Sequence, residues 1–214
     1  GPALNSQSAL IMDANSGKPI YQKNVNSVRS IASISKLMSA MVVLDAGLDK
    51  NERVTITDAE IDRLKGTGSR LSVGTTLSRE ELLHIGLMSS ENRAIHALAR
   101  TYPGGMPAFV SAMNRKAQQL GMNNSRFVEP TGLSPQNVST ANDLAKMVQA
   151  AAQYPQIRYF STHNNATVYT SNGKAQQYKN SNALVREGAW PIIVQKTGYI
   201  REAGRSMVVE TQVQ

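Results

Sequence analysis

The chain has no cysteine among its 214 residues. That excludes disulfide staples, cysteine-ligated zinc and thiol catalysis, and is compatible with an oxidising compartment without requiring one. Aromatic residues are scarce as well, at 5%. The basic residues are scattered and no zinc-finger, RRM or homeodomain pattern is present, so nucleic acid is not expected as a partner. No apolar run approaches the roughly 18 residues of a membrane span, and a soluble chain with no transmembrane segment is expected. Histidine is limited to three positions. His84 and His96 fall on helical patterns and His163 in a polar loop, with no metal-ligand spacing and no paired carboxylate. They are read as core or surface residues, and neither a metal nor a cofactor is expected.

What is present suits a globular fold. A composition 41% hydrophobic and 18% charged can bury a real core, as one compact unit or two interleaved lobes. The nine methionines read as core filler. Twenty-three Lys and Arg against 15 Asp and Glu give a net charge of +8, which attracts polyanions: nucleic acid, anionic lipid or acidic cell-wall polymer. Charge alone does not choose among them. Gly1 and Pro2 resemble the scar of a tag protease, so a native export signal would already be absent.

Periodicity orders the chain. Ser8 to Ala14 and Pro19 to Lys23 flank the turn cluster Asn15-Ser16-Gly17 and predict an N-terminal hairpin. From Ile31 the apolar spacing turns helical, through Ile34, Leu37, Met38, Met41 and Val42, with Gly47 near the end. Ser78 and Glu81 form a capping box for a second helix, which stops around Ser89-Ser90. Further helices run from Arg93 to Tyr102, from near Pro107 to Gly121, and from the Thr140 and Asp143 cap to Pro155. Ala166 to Thr170 and Ala175 to Lys179 predict a hairpin around Asn172-Gly173, followed by strands at Ile192 to Tyr199 and Ser206 to Val213. The expected fold is therefore α/β of the α+β kind. An antiparallel sheet lobe comes from both termini, residues 1–23 and 191–214, and packs against a mainly helical lobe, residues 24–190, with a cleft between them.

Three short patterns carry chemistry. Ser33-Ile34-Ser35-Lys36 places an amine one helical turn from a hydroxyl, and serine needs such a base to become a nucleophile. Burial and neighbouring cations lower a lysine pKa, and a helix N-terminus favours negative charge developing at Ser33. Read alone, the pair is an ordinary helix cap with a solvated lysine, and Ser171 to Lys174 matches the same pattern at a turn. Ser90-Glu91-Asn92 falls between two helical patterns, where Ser90 can relay a proton and Asn92 can hold Lys36 and a substrate amide. Alone it is a helix-cap pair. Lys196-Thr197-Gly198 lies on a predicted strand, where a cation and a hydroxyl can bind a carboxylate and glycine admits a substrate backbone. Alone it is an exposed polar strand end. Together, in this order, the three are specific.

The set Ser33-x-x-Lys36, Ser90-x-Asn92 and Lys196-Thr197-Gly198 resembles the three motifs of penicillin-binding proteins and serine β-lactamases. Ile31 to Ala46, Leu87 to Arg93 and Gly121 to Leu144 further resemble low-molecular-weight D-alanyl-D-alanine peptidases, in particular their endopeptidase branch. The resemblance implies a β-lactamase/transpeptidase-like fold and an acyl-enzyme on Ser33, with Lys36 as base and Ser90 as proton shuttle. It places the substrate carboxylate on Lys196 and Thr197, and the oxyanion hole at the backbone N–H groups of Ser33 and Tyr199. The implied partners are peptidoglycan muropeptides and, as covalent inhibitors, β-lactam antibiotics; the implied location is the periplasm. In the family a further strand and a C-terminal helix follow the strand that ends near Val213. The sequence therefore leads one to expect a longer natural chain, or an empty central position in the sheet with exposed edges.

Carboxypeptidase and endopeptidase both need a carboxylate on a D-centre after the scissile bond, so the motifs do not separate them; overall similarity favours the endopeptidase. A class A β-lactamase needs a glutamate that activates the deacylating water, and Glu129 to Leu133 does not resemble that loop. A non-catalytic wall-binding module on the same fold is the rival of a different kind.

Overall fold

The computed structural model describes residues 8–16, 18–23, 28–188, 192–200 and 204–211. The N-terminal hairpin is β1 (Ser8–Asp13) and β2 (Pro19–Lys23). A two-residue strand β3 (Arg29–Ser30) leads to a 3-10 turn (Ala32–Ile34) and then to α1 (Ser35–Asp45). Strands β4 (Arg53–Thr55) and β5 (Thr76–Ser78) pair with each other, and α2 (Arg79–Met88), α3 (Asn92–Arg100) and α4 (Gly105–Gln119) follow. Strand β6 (Val138–Ser139) pairs with β3 and precedes α5 (Ala141–Ala151) and α6 (Pro155–Thr162). The hairpin β7 (Asn165–Tyr169) and β8 (Ala175–Lys179), the short α7 (Ala183–Glu187), and β9 (Ile192–Ile200) with β10 (Gly204–Thr211) complete the chain.

The main sheet has the order β2-β1-β10-β9. Its outer ladders are antiparallel, as expected of strands from the two termini. The central β1–β10 ladder is parallel, with Leu10 opposite Val208 and Met12 opposite Glu210. Of the two alternatives expected, a longer natural chain or an empty central position, the second is not seen among the described residues, because β10 lies directly against β1, with β2 and β9 as the margins. Strand β9 is left at the sheet's margin, and the 3-10 turn lies against it.

Helix α1 is the axis of the core. Leu37, Met38, Ala40 and Met41 are fully buried, and so are the polar Ser35, Lys36 and Ser39 on the same helix. Eight of the nine methionines, all but Met106, are buried. Helix α2 starts at the predicted capping box, with the Ser78 side chain accepting from the Glu81 N–H. Two helices were not legible. Pro155, expected only as a stop, also stands at the first position of α6, where its missing N–H costs nothing. Helix α7 is too short for a period to register; it is set by an Asn182 cap and a left-handed Gly188. Gly17 of the predicted turn, Val213 and the Gly1-Pro2 pair lie outside the described residues. Among the described residues no helix is long and apolar enough to cross a membrane.

Candidate active site

Ser33 does not sit in α1 itself. It occupies the 3-10 turn before it, entered through Ala32 at φ 49°, a left-handed value rare for a residue with a side chain. Gly132 explains the constraint: a Cβ on it would lie 1.8 Å from the Ala32 carbonyl oxygen and 2.8 Å from the Ser33 nitrogen. From this turn Ser33 Oγ meets Lys36 Nζ at 2.5 Å. Ser90 holds the connection between α2 and α3 and also has a positive φ, 58°. Its hydroxyl lies 3.2 Å from the same amine. Such backbone outliers persist only where the surroundings dictate them, and both here flank one nitrogen.

The third partner of Lys36 Nζ is the Thr131 carbonyl oxygen, at 3.0 Å. A carbonyl can only accept, so one N–H is committed there. As an ammonium, Lys36 would donate to all three oxygens. As a neutral amine it donates to Thr131 and Ser90 and turns its lone pair to the Ser33 hydroxyl. The second state is within reach, since burial brings the Lys36 pKa from 10.5 down to about 7 against the opposing pull of the Glu129 and Glu91 carboxylates.

The segment from Val128 to Asn137 fixes this geometry, and motif reading passed it over. The Glu129 carboxylate accepts from the N–H groups of Thr131 (2.7 Å), Gly132 (2.5 Å) and Ser134 (3.2 Å) and from the Thr131 hydroxyl. Asn137 Nδ2 donates to Ser35 Oγ at 3.0 Å and to the Glu129 carbonyl at 2.9 Å, while the Asn137 carbonyl accepts from the Ile31 N–H. Ser39 Oγ donates to the Pro130 carbonyl at 2.6 Å. The loop is thus bolted to both ends of the Ser33–Lys36 turn. The Glu-Pro-Thr-Gly string in the sequence offered the signal, since glycine two residues after proline announces a tight turn.

Lys196 of β9 is also fully buried, and its Nζ donates to the Thr197 carbonyl at 2.8 Å. Burial and then the like charge of Lys36 hold its pKa well below the ordinary lysine range. Thr197 Oγ1 lies 2.6 Å from the hydroxyl of Ser181, another residue the motifs did not reveal. The N–H of Ser181 donates to the Met88 carbonyl, so this serine links the end of α2 to β9. Behind it Asn180 and Gln195 both donate to the Ser161 carbonyl, at 2.9 and 2.6 Å. Gly198 is buried, and Tyr199 lies opposite Arg205 in the β9–β10 ladder.

Asn92 differs from expectation. Among the described contacts it makes none with Lys36, whose polar partners are Ser33, Ser90 and Thr131; Asn92 Oδ1 is shielded from water with no hydrogen-bond partner. A buried acceptor left open beside Ser90 suits an N–H brought by a ligand. His96 also differs, for its Nδ1 lies 2.7 Å from Glu60, giving it the carboxylate that the sequence did not place beside it. His84 and His163 face each other at 2.8 Å. The second match, Ser171 to Lys174, lies at the β7–β8 turn, where Ser171 Oγ donates to the Gly74 carbonyl.

The whole chain, residues 1–214, matches the family described as D-alanyl-D-alanine carboxypeptidase. It is 46% identical over 213 residues to the D-alanyl-D-alanine endopeptidase of Escherichia coli (strain K12), covering 99% of this chain and 69% of that protein. It is 47% identical over 211 residues to the D-alanyl-D-alanine endopeptidase of Pseudomonas aeruginosa, covering 98% of this chain and 68% of that protein. Among solved structures, the Streptomyces K15 DD-transpeptidase superposes with a TM-score of 0.82 at 26% identity, over 99% of this chain and 92% of that one.

Proposed function

The chain belongs to the D-alanyl-D-alanine carboxypeptidase family of serine peptidases, and we propose that within it the enzyme is a periplasmic endopeptidase that cuts D-alanyl crosslinks in peptidoglycan. The observation that carries the chemistry is an amine with a pKa near 7 held 2.5 Å from the Ser33 hydroxyl. Lys36 takes the Ser33 proton as Oγ attacks the D-alanyl carbonyl. Ser90, hydrogen-bonded to the same amine, passes a proton to the leaving nitrogen as the C–N bond breaks. Water then attacks the ester and frees Ser33.

Charge recognition follows from the two buried lysines. Lys196 and Lys36 repel each other, and among the described residues no carboxylate lies within hydrogen-bond range of either amine. A substrate carboxylate beside Lys196 and Thr197 supplies one, keeps Lys196 protonated and leaves Lys36 as the neutral base. The marginal strand β9 offers backbone groups along which an extended peptide can lie, with Asn92 Oδ1 accepting from a substrate amide. The family resemblance assigns the developing oxyanion to the N–H groups of Ser33 and Tyr199; such donors contribute about 3 to 4 kcal/mol each.

Preference for crosslinks over terminal D-alanine rests on the similarity to relatives named endopeptidases. Glu129 is saturated by backbone donors, with no oxygen left to activate water as in a β-lactamase. A penicilloyl ester on Ser33 should therefore persist. The test is intact mass after benzylpenicillin, together with digestion of crosslinked and uncrosslinked muropeptides. One stable penicilloyl group, absent from Ser33→Ala, and loss of dimers without release of terminal D-alanine are expected. No adduct at Ser33 overturns the chemistry; release of terminal D-alanine alone makes the enzyme a carboxypeptidase.

A further inference from the structure

The β7–β8 hairpin carries a face that the chemistry above leaves unused. Its inner residues Val168 and Tyr178 are buried in the core. Its outer face is three cross-strand rungs, Asn165–Lys179, Thr167–Gln177 and Tyr169–Ala175, all exposed. Tyr169 is 63% exposed at the far rung and presents an aromatic surface to solvent. Ordinary solvated strands carry charges of both signs, whereas these rungs carry amides, a hydroxyl, a cation and an aromatic ring with no acid.

The two rungs nearest the hairpin's base line a cleft of about 590 Å³ together with Asn164 and Arg186 of α7. That volume is in the range of small-ligand sites. Among the described residues neither Lys179 nor Arg186 forms an ion pair with a carboxylate. The cleft also abuts the catalytic wall. Ser89, next to Ser90, donates its hydroxyl to the Lys179 carbonyl at 2.5 Å, and Arg186 donates to the carbonyl of Asn180, beside Ser181.

We propose that this cleft and the Tyr169 rung form a saccharide subsite, which holds the acylated amino-sugar strand bearing the stem peptide while its crosslink lies in the catalytic groove. Amide side chains both donate and accept, matching hydroxyl and N-acyl groups. An aromatic face packs against the C–H face of a sugar ring, and Lys179 and Arg186 donate to its hydroxyl and acyl oxygens. The inference rests on the peptidoglycan reading above and adds to it a second point of attachment.

The experiment compares wild type with a Gln177→Ala/Lys179→Ala double variant and with Tyr169→Ala. Each is assayed on a crosslinked peptide dimer free of sugar and on the same dimer bearing its disaccharides. The variants should cleave the sugar-free dimer like wild type. On the disaccharide-bearing dimer kcat/KM should fall about tenfold, through KM, from lost hydrogen bonds in the double variant and lost ring packing in Tyr169→Ala. Equal losses on both substrates, or none on either, overturn the subsite. Failure of wild type to cut either dimer overturns the endopeptidase reading instead. In a second arm, Ser33→Ala protein with and without the double substitution is titrated with glycan strands stripped of peptide. Weaker binding by the substituted protein supports the saccharide assignment. If only peptide-bearing strands sense the substitutions, the cleft reads stem carboxylates and the saccharide assignment fails.

Discussion

Lys36 concentrates the electrostatics of the molecule on one nitrogen. A fully buried ammonium with no carboxylate in hydrogen-bond contact is expensive, and the protein lowers that cost by letting the group approach neutrality near pH 7. The sign for catalysis follows. Below about 7 the group is protonated and has no lone pair for the Ser33 proton; above it the base is present. The acylation rate in kcat/KM should therefore rise with pH through about 7 and then level, falling about tenfold for each unit below. Stopped-flow acylation by a chromogenic cephalosporin reads this directly. Lys36→Arg keeps the charge but cannot surrender its proton, so its acylation should stay negligible even at high pH. Gly132 is the backbone counterpart. Its φ of 87° and the 1.8 Å approach of a Cβ to the Ala32 carbonyl leave no space for Gly132→Ala. That variant should lose penicillin labelling, and where it still folds its Tm should fall sharply.

At the scale of elements, short pieces are held by buried polar ties more than by propensity. The 3-10 turn Asp58–Glu60 and helix α3 meet at the Glu60 carboxylate, which lies 2.7 Å from His96 Nδ1 and accepts from the Arg100 guanidinium at 2.9 Å, while Arg100 also donates to the Thr55 carbonyl of β4. Burial opposes its ionisation, but the hydrogen bonds from His96, Arg100 and the Thr57 N–H prevail and bring its pKa from 4.5 to about 2. A carboxylate depressed in the folded state stabilises fully above the unfolded pKa of 4.5 and loses that contribution as pH falls toward 2. Glu60→Gln should cost about 1 to 3 kcal/mol at neutral pH. Chemical denaturation should show wild type and variant converging as pH drops through that window.

Across the whole molecule the net charge of +8 acts on a large acidic substrate and not on a small inhibitor. Raising salt from about 50 mM to about 500 mM shortens the screening length from about 14 Å to about 4 Å. KM for crosslinked wall polymer should rise over that range, while the rate of acylation by a neutral β-lactam ester stays flat. Equal salt sensitivity for both would place the effect inside the catalytic groove.

Hydrophobic period, capping boxes and the three motifs were written locally, within one or two turns of chain, and so the sequence by itself determined the strand-helix-strand order, the Ser78 and Thr140 helix starts and the choice of Ser33, Lys36, Ser90 and Lys196 as candidate site residues. Local signals cannot report what meets across distance. Only the tertiary structure decided that β10 pairs in parallel with β1, that the Thr131 carbonyl and Gly132 clamp the Ser33 turn from nearly a hundred residues away, and that Ser181 joins α2 to β9. It also decided that among the described contacts Asn92 makes none with Lys36 and buries Oδ1 without a hydrogen-bond partner. The physical reason is that a side chain's partner, burial and pKa are properties of the packed neighbourhood, which excludes water and brings together residues that sequence spacing keeps apart.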